Sequence, residues 1–159
     1  MKYIKLIIIA ALIITADQIT KQMIINNFFV FESVPVIDGL FNITYLQNLG
    51  GAFSFFADKS ILLRSVIFKI LPIIVIFFLF LFYKTVPSSS KFLTFGLSFI
   101  ISGAIANLID RFVFGFVIDF LDFYVNNIHW PAFNIADSAI TVGIVMVLIG
   151  SFTDKSAFG

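Results

Sequence analysis

Asn-Leu-Ile-Asp-Arg at 107–111, Phe-Val-Ile-Asp-Phe at 116–120 and Trp-Pro-Ala-Phe-Asn-Ile-Ala-Asp at 130–137 form the stretch on which the reading of this chain turns. Four of the nine acidic residues, Asp110, Asp119, Asp122 and Asp137, fall inside it. The surrounding sequence is strongly apolar: 60% hydrophobic and 12% charged, with a mean hydropathy of +1.10. A soluble domain carries about 25% charged residues. Half that share, with long apolar runs, points to an integral membrane protein. Lipid solvates a carboxylate poorly, so acids in or beside membrane spans are rare and usually functional.

Four stretches approach the roughly 20 apolar residues that a spanning helix needs. They are 3–25, 61–83, 92–109 and 132–152, with connections at 26–60 and 110–131. At 159 residues the chain reads as one membrane domain over 1–159. Lys2 and Lys5 before an apolar run resemble a signal peptide. No small-residue cleavage site follows, however, and apolar residues resume at Met23–Ile25, which favours a retained helix. Pro72 is expected to bend the second helix. In 26–60, Phe41, Ile43 and Tyr45 alternate with polar residues as in a strand with one apolar face, and Gly50-Gly51 marks a tight turn. The connection at 110–131 is expected to lay its phenylalanines in the lipid interface.

Several classes are excluded. There is no cysteine, hence no disulfide, thiol nucleophile or thiolate metal site. One histidine, His129, rules out a multi-histidine metal site. A net charge of +1 without a basic cluster argues against nucleic acid. No cofactor or metal is expected.

Lys and Arg counts tie between the two sides of the membrane. Four of the five cations assigned outside lie within helices or beside carboxylates, so both termini are placed in the cytoplasm. Asp17, Gln18 and Lys21 then sit at the outer end of the first helix, and Asn107, Asp110 and Arg111 at the outer end of the third. Asn134 and Asp137 lie in the first turns of the fourth, roughly 10 Å deep at 1.5 Å per residue. Polar residues from three helices and both outer connections thus share one depth.

Asp17 and Lys21, spaced i,i+4, read as a structural ion pair. Asn134 and Asp137 share a helical face at i,i+3. Arg111 reads as a phosphate anchor or a brace for a carboxylate. Asp110 and Asp122 read as solvated loop acids, and Asn48 as a strand end or a site residue. Asp137 needs a partner, and Asp119 is the nearest unassigned acid. Two adjacent aspartates hold one proton between them. The ionised member activates water and the protonated member donates to a carbonyl oxygen, as in aspartic proteases.

The motifs Asp-Gln-x-x-Lys at 17–21, Asn-x-Gly-x-Ala-Phe at 48–53, Asn-Leu-Ile-Asp-Arg at 107–111, Val-Ile-Asp-Phe at 117–120 and Phe-Asn-Ile-Ala-Asp at 133–137 resemble, in order, those of the bacterial lipoprotein signal peptidases, or signal peptidase II. Gly51 departs from the alanine more frequent in that family. The resemblance implies an all-α integral membrane fold of four transmembrane helices. A small extracytoplasmic β-sheet and an extracytoplasmic interfacial helix accompany them. It implies an aspartic endopeptidase of the bacterial inner membrane that cleaves diacylglyceryl prolipoproteins before the lipidated cysteine. Asp119 and Asp137 match the catalytic dyad. Asn48, Asn107, Arg111 and Asn134 match residues that support the dyad or bind substrate and peptide inhibitors such as globomycin. Asp17 and Lys21 match structural polar residues. Membrane lipids are partners and a monomer is expected.

The rival reading is a small proton-coupled transporter subunit, since paired intramembrane acids also relay protons. A transporter needs polar residues across the whole bilayer, and Ile4–Ile14 and Ile73–Phe82 are almost purely apolar. A structural scaffold leaves Asp119 and Asp137 without a purpose.

Overall fold

The computed structural model describes residues 1–50 and 66–153. Gly51, Arg64 and the expected start of the second helix lie outside the described residues. Helix α1 covers Lys2–Asn27, α2 Leu71–Thr85, α3 Lys91–Val113 and α4 Ile135–Thr153. A π-helical turn, Val66–Ile70, runs directly into α2. Pro72 sits where the π-helical turn passes into α2, and its missing N–H leaves a gap in the helical ladder at that junction. Among the described residues, four helices are long and apolar enough to span a membrane: α1, Val66–Thr85, α3 and α4.

Helix α3 is the centre of the bundle and by far the most buried span. It packs on α1, α2 and α4. Its seam with α4 is built from small residues. A Cβ placed on Gly143 would lie 2.6 Å from the Gly96 carbonyl oxygen, and one on Gly103 would lie 2.4 Å from that of Ala136. Lipid tails are as apolar as leucine, so close backbone approach and dispersion, rather than exclusion of water, hold such helices together. At the far end, Lys2 donates to the carbonyls of Tyr83, Lys84 and Val86 at 3.0, 3.0 and 2.7 Å. These include groups left open at the α2 C-terminus, where a cation is favoured. The Tyr83 hydroxyl returns a bond to the Lys2 carbonyl at 2.8 Å.

Four antiparallel strands lie in the order β1 (Ser33–Ile37), β2 (Phe41–Asn48), β3 (Val117–Val125) and β4 (Ile128–His129). The strand expected near 41–45 is present and longer. The expectation that 110–131 lies along the lipid interface is corrected in its middle. Residues 117–125 form a strand with Val117, Ile118 and Phe120 buried, because β2 supplies backbone partners along its length. Phe112, by contrast, is exposed. No interfacial helix occurs among the described residues.

Two boundaries move. Helix α3 continues to Val113, so Asp110 and Arg111 are helical rather than in a loop. Helix α4 starts at Ile135, because Phe133 bonds instead to Leu121 of β3, with N···O distances of 2.8 and 3.1 Å.

The β2–β3 register slips between Ile43 and Leu46. Thr44 and Tyr45 together stand against Phe120, a β-bulge. Side-chain facing alternates along a strand, so one extra residue transfers everything beyond it to the other face. Asn42 therefore pairs with Asp122, whereas Asn48 stands opposite Val117 and shares a face with Asp119. Without the bulge, Asn48 would present on the opposite face of the sheet.

Gly143→Ala should lower the unfolding temperature in detergent by the equivalent of about 1–3 kcal/mol, the usual cost of overpacking. The same change at Gly39, whose Cβ would meet nothing within 4 Å, tests backbone strain alone (φ +79°).

Candidate active site

Four elements meet at one end of the bundle. The ends of α1 and α3, the start of α4 and the first residues of β3 bring their polar side chains together. At the base is Lys21. Its ammonium lies 2.7 Å from Asp17 and 2.6 Å from Asp110, and donates to Asn107 Oδ1 at 3.1 Å. Three N–H bonds meet three acceptors. Lys21 is 1% exposed and both acids are 0% exposed. Removing one partner of such a buried group costs about 3–5 kcal/mol, because the remaining charge is left uncompensated.

Each acid also ties two elements together. Asp17 Oδ1 accepts from the Ala136 N–H at the start of α4, at 2.9 Å. That is a carboxylate at the positive end of a helix dipole. Asp110 Oδ1 accepts from Gln18 at 2.7 Å, and its Oδ2 from the Ile118 N–H of β3 at 3.3 Å. The reading of Asp110 as a solvated loop acid is therefore corrected. It is fully buried and paired, because α3 continues past it into the site. Asp122 is corrected likewise: it is buried, accepts from Asn42 at 3.0 Å and contacts His129 Nδ1 at 2.8 Å. The half-exposed His129 ring stacks on Tyr124. This second cluster lies on the sheet face away from Asp119.

Asn134 precedes α4 and caps it. Its Oδ1 accepts from the Asp137 N–H at 2.9 Å, and Asp137 Oδ2 accepts from the Asn134 N–H at 3.2 Å. This reciprocal pair is a capping box, so Asp137 is held by the helix start itself. Asn134 Nδ2 donates to Asp119 Oδ1 at 2.8 Å. One asparagine thus touches both candidate catalytic acids. Asn107 donates to Asp137 Oδ1 at 2.7 Å, and Asn48 to Asp119 Oδ2 at 3.0 Å. Asn48 Oδ1 accepts from the Gly50 N–H at 3.0 Å. Gly50 has φ +118°, and a Cβ there would strike the Phe68 ring. Asn48 therefore both ends β2 and serves the site.

Asp119 is 4% exposed. Burial first, then the neighbouring Asp137 charge, push its carboxyl from the ordinary 3.8 up to about 7. Hydrogen bonds from Asn48 and Asn134 and the charge of Lys21 oppose that shift. Among the described residues Arg111 bonds the Asn107 carbonyl, at 3.4 Å, and stacks over Phe68 at 5.9 Å. Its charge acts on Asp137, Asp119 and Asp110, yet it forms no ion pair among the described residues. Beside Asp137, a groove of about 560 Å³ is lined by Trp130, Ala132, Phe133, Thr141 and Val142.

A family model described as signal peptidase (SPase) II matches residues 9–153. The chain belongs to the signal peptidase II family. The lipoprotein signal peptidase of Desulforapulum autotrophicum is 45% identical over 143 residues, covering 90% of this chain and 88% of that one. That of Syntrophus aciditrophicus is 41% identical over 143 residues, covering 90% and 89%. A bacterial membrane enzyme solved in meso at 2.3 Å resolution superposes with a TM-score of 0.80 at 31% identity, covering 98% of this chain and 92% of that one. Signal peptidase II membership makes the chain a membrane protease that removes signal peptides from lipoproteins.

All eight candidate residues of this family member converge at one end of the bundle. Sequence reasoning placed Gln18 at this depth without giving it a partner, and missed the pairing of Asp110. The signal was available: Asn107, Asp110 and Arg111 at i, i+3 and i+4 share one helical face.

The raised Asp119 value has a stability consequence. Folding favours its protonated form, so this contribution is fully present below the unfolded pKa and is lost as pH rises towards about 7. Across that window the unfolding temperature of the native chain should fall relative to Asp119→Asn, measured in detergent. A pH-independent difference would contradict the shift.

Proposed function

We propose that the chain is an intramembrane aspartic endopeptidase. It cleaves diacylglyceryl-modified prolipoproteins immediately before the lipidated cysteine, with Asp119 and Asp137 as the dyad. The observation that carries this is the Asn134 side chain, bonded to Asp119 Oδ1 and to the Asp137 N–H at once. Asn134 meets both acids, its amide on Asp119 and its backbone N–H on Asp137 Oδ2, and the burial and mutual repulsion of two neighbouring carboxylates make it costly to ionise both.

Below about pH 7 we assign the shared proton to Asp119, whose carboxyl is pushed up by burial and by the Asp137 charge, and make Asp137 the base. Water attacks the scissile carbonyl carbon as Asp137 takes one of its protons. Asp119 gives its proton to the carbonyl oxygen, forming a tetrahedral diol. The C–N bond then breaks, the amine leaves with the proton from Asp137, and Asp119 regains one from a diol hydroxyl. No covalent enzyme intermediate forms.

The bilayer placement follows the same reading. The protein is a multi-pass protein of the bacterial inner membrane, with both termini cytoplasmic and the dyad towards the extracytoplasmic face. A lipidated cysteine has acyl chains in the outer leaflet and its peptide at the headgroups, so its scissile bond lies at the dyad's depth. The largely apolar groove beside Asp137 suits part of that substrate. Arg111, with one long bond among the described residues, is placed to meet a substrate carbonyl or phosphate. The nearly unbroken apolar surface of α2 argues against a polar path through the bilayer, and so against a transporter.

Asp119→Asn and Asp137→Asn should each abolish cleavage of a diacylglyceryl prolipoprotein in detergent while still folding and binding globomycin. Full activity in either variant would remove that residue from the chemistry. In the native enzyme kcat/KM should decline as pH rises through about 7, when Asp119 loses its proton. Arg111→Ala should mainly raise KM or lower stability.

A further inference from the structure

The Asp17–Lys21 pair has the geometry of a structural brace, but its third bond reaches towards the chemistry. Lys21 carries only donors, so the atom of Asn107 that faces it must be the carbonyl oxygen. Asn107 Nδ2 is thereby turned to Asp137 Oδ1 at 2.7 Å. A second donor, Asn134 Nδ2, also approaches Asn107 Oδ1, at 3.2 Å. Asn134 is itself oriented by the Asp137 N–H, which leaves its Oδ1 no other role. We propose that Lys21 is a positioning residue for catalysis: it fixes the amide of Asn107 so that Asn107 donates to, and holds in place, the carboxylate of Asp137. Asp110 and Gln18 belong to the same device, because they hold the ammonium where Asn107 can meet it.

This inference rests on the dyad reading and deepens it. A carboxylate is favoured by donors to its charged form, and a flipped Asn107 would present oxygen to oxygen. The ammonium never touches the reacting atoms. Its influence passes through an amide that has two orientations, of which the ammonium, with Asn134 Nδ2 beside it, selects one. Among the described residues, the charged groups around the dyad are Asp17 and Lys21 from α1, Asp110 and Arg111 from α3, Asp119 from β3 and Asp137 from α4 itself.

The double substitution Lys21→Met with Asp110→Asn removes the ammonium and one of its two acids, so the net charge of the cluster stays at −1. Lys21→Met alone leaves two buried acids uncompensated and serves as the comparison. Cleavage of a diacylglyceryl prolipoprotein would be followed against pH, together with the unfolding temperature in detergent. The expected result for the double variant is a folded enzyme whose kcat falls on the order of 10²-fold with KM nearly unchanged. The acid limb of its profile should move to higher pH, because Asp137 has lost an assured donor. A folded double variant with native kcat and a native pH profile would overturn the proposal, and Asp137→Asn, still inactive, would leave the dyad reading intact. Neutron diffraction of the native chain gives a second readout that needs no variant. Deuterons on Asn107 directed at Asp137 are expected; deuterons directed at Lys21 overturn the proposal.

Discussion

One buried ammonium organises this protein. Lys21 Nζ joins α1 to α3 through Asp110 and Asn107, and Asp17 joins α1 to α4 through the Ala136 N–H. A charge taken out of water is expensive unless every hydrogen-bonding position is filled. Here all three donors of Lys21 are used, and both oxygens of each flanking acid have partners. Such a cluster tolerates few alternative arrangements, so it sets the mutual placement of three helices at the end where the candidate dyad lies.

The rest of the bundle supplies the complementary constraint. Gly96, Gly103 and Gly143 bring α3 and α4 into backbone contact, which leaves little freedom for either helix to slide. Asn107 and Asp137 sit on these two helices, and their 2.7 Å bond depends on that seam being held. The sheet contributes the other half. Asp119 is carried by β3, and β3 is anchored to α3 through the Asp110–Ile118 bond and to the start of α4 through Phe133. A soluble aspartic protease meets its substrate in water. In this chain the two candidate acids come from a strand and from a helix start, at the border between the sheet and the apolar bundle.

Much of this was legible in the sequence because lipid makes polar residues conspicuous. Asp17, Lys21, Asn107, Asn134 and Asp137 stand out against apolar helices, and alternating spans place them at one depth. The strand carrying Asp119 was not legible. Val117–Val125 is nearly continuous in apolar and aromatic residues, a pattern shared by interfacial segments and buried strands, and only pairing with β2 distinguishes the two. Asp110 was misread for a related reason. The helix continues beyond the apolar run, and hydropathy cannot distinguish a loop acid from a buried one whose partner lies 89 positions earlier at Lys21.

Composition and periodicity alone determined four stretches apolar enough to span a membrane and set the unusual polar residues of three of them at one depth, because the cost of a polar group in lipid is a local property of each residue. Motif order went further and pointed to the family. Tertiary structure decided which polar groups touch. The β-bulge at Thr44 and Tyr45 turns Asn48 towards Asp119, Lys21 joins two acids and an amide, and Asn134 meets both carboxyls through its side chain and its backbone N–H. Hydrogen bonds depend on tenths of an ångström and on direction, and those are settled only when distant segments have packed.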